Sequence, residues 1–359
     1  MQQRKPSNAK IALRAHTALV QILCAEGDFY EKSILTALGC LLLAAVFPIA
    51  AFAQELIVGG QAIGIRIQTE GVLVSGLGEV ETAEGSRRPA ADAGLQEGDR
   101  ILQANGRELH SAAELIAAVG EAEGRTVELT IRREERELLV FVQPALSKDG
   151  QWMMGLWLRD VVTGIGTVTF CDPETGIYGA LGHSIRDDTS GCRVDVGAGS
   201  ITEAEITGVT SGEPGTPGAL NGDFTGGRVL GSVEQNGDCG IYGRATAPLG
   251  SRTVEVGQFR TGPASILTTV NGREVREFEV RITRLYRDSA GEHVMLSVTD
   301  PELRALTGGI VQGMSGSPIL QDGKLVGAVT HVFVNDPTRG YGISIQDMLD
   351  AAGIQEQAA

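Results

Sequence analysis

Positive charge, proline and cysteine are all in short supply in this chain, and each shortage excludes something. Its 359 residues carry 30 Lys and Arg against 45 Asp and Glu, a net charge of −15, so the footprint of a nucleic-acid-binding protein is missing. Proline occurs 12 times against 49 glycines, with no strict three-residue glycine period, which excludes a collagen-like rod. The five cysteines include no C-x-x-C and no paired spacing, so a zinc site is not supported, and nothing else in the chain calls for a metal or organic cofactor. Cys171, Cys192 and Cys239 fit either one disulfide with a leftover thiol or three buried, reduced thiols.

What is present is a globular composition. Hydrophobic residues make up 42% and charged residues 21%, enough apolar content for two domains with cores and too much for extended disorder. Glycine at about twice its usual ~7% implies many tight turns and mostly β-structure.

Charge is distributed unevenly. Residues 1–32 hold five basic groups (Arg4, Lys5, Lys10, Arg14, Lys32) against three acidic ones. From Ile34 to Ala53 there are 20 residues without a charge, a run that matches a hydrocarbon layer of ~30 Å and lacks the polar stripe of a core helix. The expected organisation is a cytoplasmic tail (1–32), a transmembrane signal-anchor (33–53) and an extracytoplasmic remainder, oriented by the basic flank. Ala51-Phe52-Ala53 before Gln54 reads as a signal cleavage site, but 33 residues ahead of the apolar run are long for a signal peptide, which favours an uncleaved anchor.

Residues 54–145 form a first unit. Pro89-Ala90-Ala91-Asp92-Ala93-Gly94-Leu95 predicts one helical turn closed by glycine, Asn105-Gly106 a hairpin, and Ser111 with Glu114 a capping box for a helix through Glu121. Strands follow over Thr126–Arg132 and Glu137–Val142. The P-A-A-D-A-G-L-Q-E-G-D-R-I-L run and the N-G turn before a capped helix resemble a PDZ domain of the bacterial protease type. That resemblance implies a peptide C-terminus, or a segment of the chain itself, pairing with an open strand edge. Gly60-Gln61-Ala62-Ile63-Gly64 is the candidate carboxylate loop, because glycines let backbone N–H groups turn toward an anion.

Residues 146–359 read as strand–turn–strand with little helix, which predicts a barrel or a pair of barrels. In Gly313-Met314-Ser315-Gly316-Ser317-Pro318, glycines two before and one after Ser315 permit the tight turn that exposes a nucleophilic Oγ. The N–H groups of Gly313 and Ser315 are then the natural oxyanion donors. The strands after this turn are arranged as in chymotrypsin-like serine proteases. Among the histidines, His183 sits in a Gly-His-Ser turn at a strand end and is the candidate base, whereas His293 and His331 lie inside strands as packed or surface residues. Asp300, 15 residues before Ser315, is a candidate orienting acid but also a strong helix N-cap before Pro301. Asp187, Asp188, Asp195 and Asp223 remain open alternatives.

Taken together, the anchor, the PDZ-like unit and the glycine-rich β unit resemble the SpoIVB sporulation peptidases, serine family S55. The matching segments include Gly164-Ile165-Gly166-Thr167-Val168-Thr169-Phe170, Gly179-Ala180-Leu181-Gly182-His183-Ser184-Ile185 and Gly309-Ile310-Val311-Gln312-Gly313-Met314-Ser315-Gly316-Ser317-Pro318. The resemblance implies the order His183, Asp300, Ser315 for the catalytic residues. It also implies an anchored endopeptidase, in the space between forespore and mother-cell membranes, that cleaves itself and a membrane-bound regulator and so signals activation of a late sporulation sigma factor. The competing expectation is a non-catalytic exported PDZ scaffold with a β-rich partner-binding domain.

Overall fold

Two strands of 16 residues each, Ala62–Leu77 and Leu156–Cys171, organise the molecule. They belong to a computed structural model that describes residues 54–354 apart from 135, 188–190, 251 and 290. The tail and the apolar run expected to be an anchor lie outside the described residues. Among the described residues, no helix is long and apolar enough to cross a membrane.

The two long strands pair with each other along most of their length, Ala62 opposite Thr167 at one end and Leu77 opposite Leu156 at the other. Between these ends the chain changes body. Ile63–Thr69 also pairs with Val196–Glu203, whereas Val72 and Leu73 pair with Ile101 and Arg100. The switch falls at Gly71, in the left-handed region at φ 69°, whose carbonyl accepts from the buried Thr69 Oγ1 at 2.7 Å. Residues 54–69 therefore lie in the second unit's sheet, and the boundary expected at 145/146 is not a linker. Alternation in Ile63-Gly64-Ile65-Arg66-Ile67 marks a strand but does not say which neighbour it pairs with.

Beyond Gly71 the expected PDZ elements are found. Pro89–Asp92 is a helical turn and Gly94 follows at φ 86°. Asn105 (φ 50°) and Gly106 (φ 74°) make the hairpin turn. Ser111 caps the helix Ala112–Glu121 through the Glu114 N–H at 3.3 Å, and Glu114 reaches back to the His110 N–H at 2.7 Å. Leu115 and Val119 on that helix pack against Val72, Val74, Ile101, Leu129 and Ile131, all buried.

The rest is mainly β, as its glycine turns predict. Strands Gly262–Thr269, Val275–Asp288, Gly291–Val298, Arg339–Ser344, Lys324–Val332 and Pro318–Gln321 close in that order into one barrel, filled by Ile266, Phe278, Val280, Val294, Leu296 and Ile319. In the other half Leu156–Cys171 pairs on one side with Ile177–Ala180 and then Gly240–Arg244, and on the other with Ala62–Leu77, then Val196–Glu203 and Val229–Ser232, whose Gly231 bridges back to Ala245 just past Gly240–Arg244. No disulfide joins Cys171, Cys192 and Cys239; the first and last are buried and Cys192 is exposed.

Asp99 anchors the PDZ half. It is 1% exposed and accepts from Arg133 Nε at 2.6 Å, Arg133 Nη2 at 2.7 Å and the Gln96 N–H at 2.8 Å. Removing one partner of a buried pair costs about 3–5 kcal/mol, and the partial exposure of Arg133 puts Asp99→Ala near the lower end. Denaturant unfolding of that variant is expected to show a correspondingly lower midpoint; an unchanged midpoint would remove the pair from the stability account.

Candidate active site

The Ser315 turn is built from both halves of the fold. Gly313 (φ 98°) and Gly316 (φ 93°) occupy the left-handed region, and a Cβ at Gly316 would run into the Thr167 carbonyl and the Leu181 N–H. The turn's carbonyls are taken by the strand Leu156–Cys171: Thr167 Oγ1 donates to Gly313 O at 2.9 Å, the Thr167 N–H to Ser315 O at 2.9 Å and Thr169 Oγ1 to Gly316 O at 2.8 Å. Three of its N–H groups are also engaged, Met314 on Val311 O, Gly316 on Val329 O and Ser317 on Met314 O. The N–H groups of Gly313 and Ser315 have no protein acceptor among the described residues. Ser315 Oγ donates to the Thr330 carbonyl at 2.7 Å.

His183 arrives from the other half. The strand Ile177–Ala180 ends at Leu181 (φ 70°) and Gly182 (φ 72°), and that reversal brings His183 into the cleft wall. Its Nδ1 lies 2.9 Å from Ser184 O. A carbonyl can only accept, so Nδ1 carries the proton and Nε2 keeps its lone pair. Burial holds the His183 ring below the ordinary imidazole value, outweighing the opposing effect of the Ser184 carbonyl.

Ser315, Gly313, His183 and His331 line one cleft of about 550 Å³, whose other walls are largely aliphatic, from Ile65, Val162, Leu181, Val311 and Val332. No hydrogen bond joins Ser315 to His183, because the Ser315 hydroxyl is turned to Thr330. His331 was expected to be a strand residue without a role, yet its ring centroid lies 4.4 Å from that of His183 at an interplanar angle of 33°. Burial, then the neighbouring His183 and His293, push His331 down to about 4. Nothing in the Thr-His-Val stretch distinguishes it from an ordinary strand; only the closure of the barrel brings it to the cleft. His293 lies elsewhere, stacked on Tyr286 at 5.3 Å with Nε2 3.0 Å from Asp288.

Asp300 does not join them. Its carboxylate caps the helix Pro301–Thr307, with Oδ1 accepting from the Glu302 N–H at 2.9 Å and the Leu303 N–H at 3.0 Å, and Oδ2 from the Glu279 N–H at 3.2 Å. Burial opposes its ionisation, but these three amides and Arg276 outweigh that and hold the carboxyl below its ordinary value. The cleft lining does not include Asp300, so its expected place beside His183 is corrected to the helix cap. The alternatives are also engaged elsewhere. Asp187 pairs with Arg159 at 2.7 Å, Asp195 with Arg100, and Asp223 accepts from the Thr225 N–H at 2.8 Å. Asp188 lies outside the described residues. Among the described residues, no group of three or more His, Cys, Asp or Glu side chains is placed to hold a metal ion.

The carboxylate loop expected at Gly60-Gln61-Ala62-Ile63-Gly64 is likewise corrected. The Gly60 N–H donates to Val168 O at 2.8 Å, Gln61 O accepts from the Val168 N–H, and Ala62, Ile63 and Gly64 lie opposite Thr167, Gly166 and Ile165. These glycines serve packing: a Cβ at Gly60 would meet Leu267 and Val275, and one at Gly64 would meet Phe224. Their amides belong to the sheet and not to a peptide carboxylate.

The SpoIVB peptidase S55 family matches residues 150–349, more than half of the chain, and this stretch contains both His183 and Ser315. The chain belongs to the SpoIVB peptidase S55 family. A PDZ domain matches residues 83–133. With this S55 peptidase the PDZ domain of the SdrC-like protein from Listeria monocytogenes shares 25% identity over 26% of the chain and 93% of its own, with a TM-score of 0.21. The active form of the Rv3671c protease from M. tuberculosis shares 13% over 55% of the chain and 76% of its own, with a TM-score of 0.31. The HtrA-type protease AlgW, solved with a decapeptide, shares 13% over 56% and 53%, at 0.33. A protein of Clostridium perfringens named as a zinc metalloprotease is 32% identical over 68 residues, so that the chain spans about a fifth of the length of that curated relative.

The cap reading of Asp300 separates two variants. Asn still accepts the two helix amides and gives up only the exposed Glu279 N–H, so Asp300→Asn is expected to keep near-normal cleavage and to lose less stability than Asp300→Ala, which loses about 1 kcal/mol. A stable but inactive Asn variant, measured by melting temperature and peptide-cleavage rate, would return Asp300 to the chemistry.

Proposed function

We propose that this S55 family member is a serine endopeptidase in which Ser315 is the nucleophile, His183 the general base and the N–H groups of Gly313 and Ser315 the oxyanion donors. The observation that carries the reading is the convergence on one cleft of Ser315, His183 and the Gly313–Ser315 turn, two of whose amides have no protein acceptor among the described residues. A rotation about χ1 takes Ser315 Oγ off the Thr330 carbonyl and toward His183 Nε2. As Oγ bonds to the substrate carbonyl carbon, Nε2 takes its proton and the carbonyl oxygen takes up negative charge against the two amides. The His183 imidazolium then protonates the departing amine, leaving an acyl group on Ser315. Water, deprotonated by the same Nε2, releases that group and restores the serine.

The biological setting is proposed on the family and on the sequence outside the described residues. In it the chain is held in a membrane by residues 33–53 with its catalytic part extracytoplasmic, between forespore and mother-cell membranes. It cleaves itself and a membrane-bound regulator, and so signals activation of a late sporulation sigma factor. The PDZ half engages a peptide C-terminus or a segment of the chain itself. Membership in the S55 family and the PDZ match support this setting.

Ser315→Ala in the full-length chain is expected to lower cleavage in trans and self-cleavage by roughly 10⁴- to 10⁶-fold without loss of fold. Fluorophosphonate labelling is expected to mark the parent at Ser315 and to spare the variant. A folded alanine variant that cleaves at the parent rate would exclude Ser315 as nucleophile and favour the scaffold reading.

The pH dependence follows from the burial of His183. The base works only when neutral, and its ionisation lies below the ordinary value of ~6.5. Cleavage is therefore expected to rise with pH through a midpoint below ~6.5 and to stay on a plateau through neutrality. A midpoint above that value in a pH–rate profile would contradict the desolvated base.

A further inference from the structure

Two features of the cleft are not used by the reaction described above. No carboxylate among the described residues reaches His183, whose Nδ1 is held only by the Ser184 carbonyl at 2.9 Å. One face of the His183 ring is covered by the His331 ring, at 4.4 Å between centroids and 33° between planes. His331 directly follows Thr330, whose carbonyl holds Ser315 Oγ at 2.7 Å, so one dipeptide touches both the nucleophile and the base.

We propose that His331 is a positioning residue for the base: its ring packs against His183 and fixes the plane of that imidazole so that Nε2 faces Ser315. The inference rests on the reading of Ser315 and His183 as nucleophile and base. The physical need is clear from the hydrogen bonds. A single bond from Nδ1 to Ser184 O sets the tautomer only while the ring keeps its plane, and rotation about χ2 breaks that bond and releases both. A second ring packed on its face removes that freedom, the orienting role that a carboxylate fills in other serine peptidases. The contact also suits the charge that develops. An uncharged His331 does not oppose the imidazolium formed during attack, and the face of an aromatic ring attracts a cation. The other groups near this pair are Arg186 in the cleft wall and His293, which lies one strand beyond Arg339–Ser344 from His331 and is already engaged by Asp288 and Tyr286.

The test uses the full-length chain with His331→Ala, His331→Phe and His331→Lys. A misplaced base loses rate rather than substrate affinity, so His331→Ala is expected to lower kcat by about 10- to 100-fold with KM changed less than about twofold. His331→Phe restores the ring and is expected to recover most of that loss. His331→Lys puts a fixed cation beside the base and is expected to be the slowest and to move the acid limb of the pH–rate profile downward. In ¹⁵N spectra of the imidazoles, His183 is expected to be the Nδ1–H tautomer in the parent and a mixture in His331→Ala. An unchanged kcat in His331→Ala overturns the proposal, and so does a His331→Phe variant as slow as the alanine, which would assign His331 a proton-transfer role of its own. A parent that neither cleaves nor is labelled at Ser315 defeats the serine-peptidase reading instead. The spectra still decide the packing in that case, since an unaltered His183 tautomer in His331→Ala overturns the positioning.

Discussion

Thr167 is the residue on which the cleft depends. Buried in the strand Leu156–Cys171, it gives its Oγ1 to Gly313 O and its N–H to Ser315 O, and its own carbonyl accepts from the Leu181 N–H at 3.3 Å. The nucleophile turn and the base turn are therefore tied to the same residue, although they come from opposite halves of the fold. The peptide units that carry the Gly313 and Ser315 N–H groups are fixed through their own carbonyls, Gln312 O accepting from the Leu220 N–H at 2.8 Å and Met314 O from the Ser317 N–H at 2.9 Å. Pre-aimed dipoles of this kind act without reorganising when charge develops.

The same burial that organises the turns shapes the electrostatics. His183 and His331 sit close together in a largely aliphatic cleft, and both are held toward the neutral form. Two imidazolium ions at this separation would repel each other where water screens poorly. An acceptor of protons near neutral pH is what remains.

How much of this is legible in the sequence depends on whether a residue's role is local. The PDZ elements are legible because each rests on neighbours in the chain: the Asn105-Gly106 turn, the Ser111–Glu114 cap and the glycine after Pro89–Asp92 all carry their reason within four residues. Gly313 and Gly316 reveal a strained turn at Ser315 for the same reason. Asp300 is legible as a cap for the amides of Glu302 and Leu303, while its distance from the cleft is a tertiary fact. Roles set by closure of sheets are hidden. His331 looks like any strand residue until the barrel closes, and Gly60 and Gly64 look like a binding loop until Leu267, Val275 and Phe224 pack on them. Strand pairing is hidden too, since alternation in Ala62–Leu77 fixes which side chains face inward but not which of two bodies they enter.

The pairing of Gln68 with Val161 gives the PDZ half an unusual status. Ala62–Gln68 and Val161–Thr167 are the two arms of one peptidase hairpin, and everything between them is its connecting loop. In topological terms the PDZ is a guest inserted at a hairpin tip, entering and leaving through adjacent residues, and the peptidase is continuous in space while interrupted in sequence. A guest held by both ends cannot swing on a tether. The two arms that hold it are paired with each other, and one of those arms ends at Thr167.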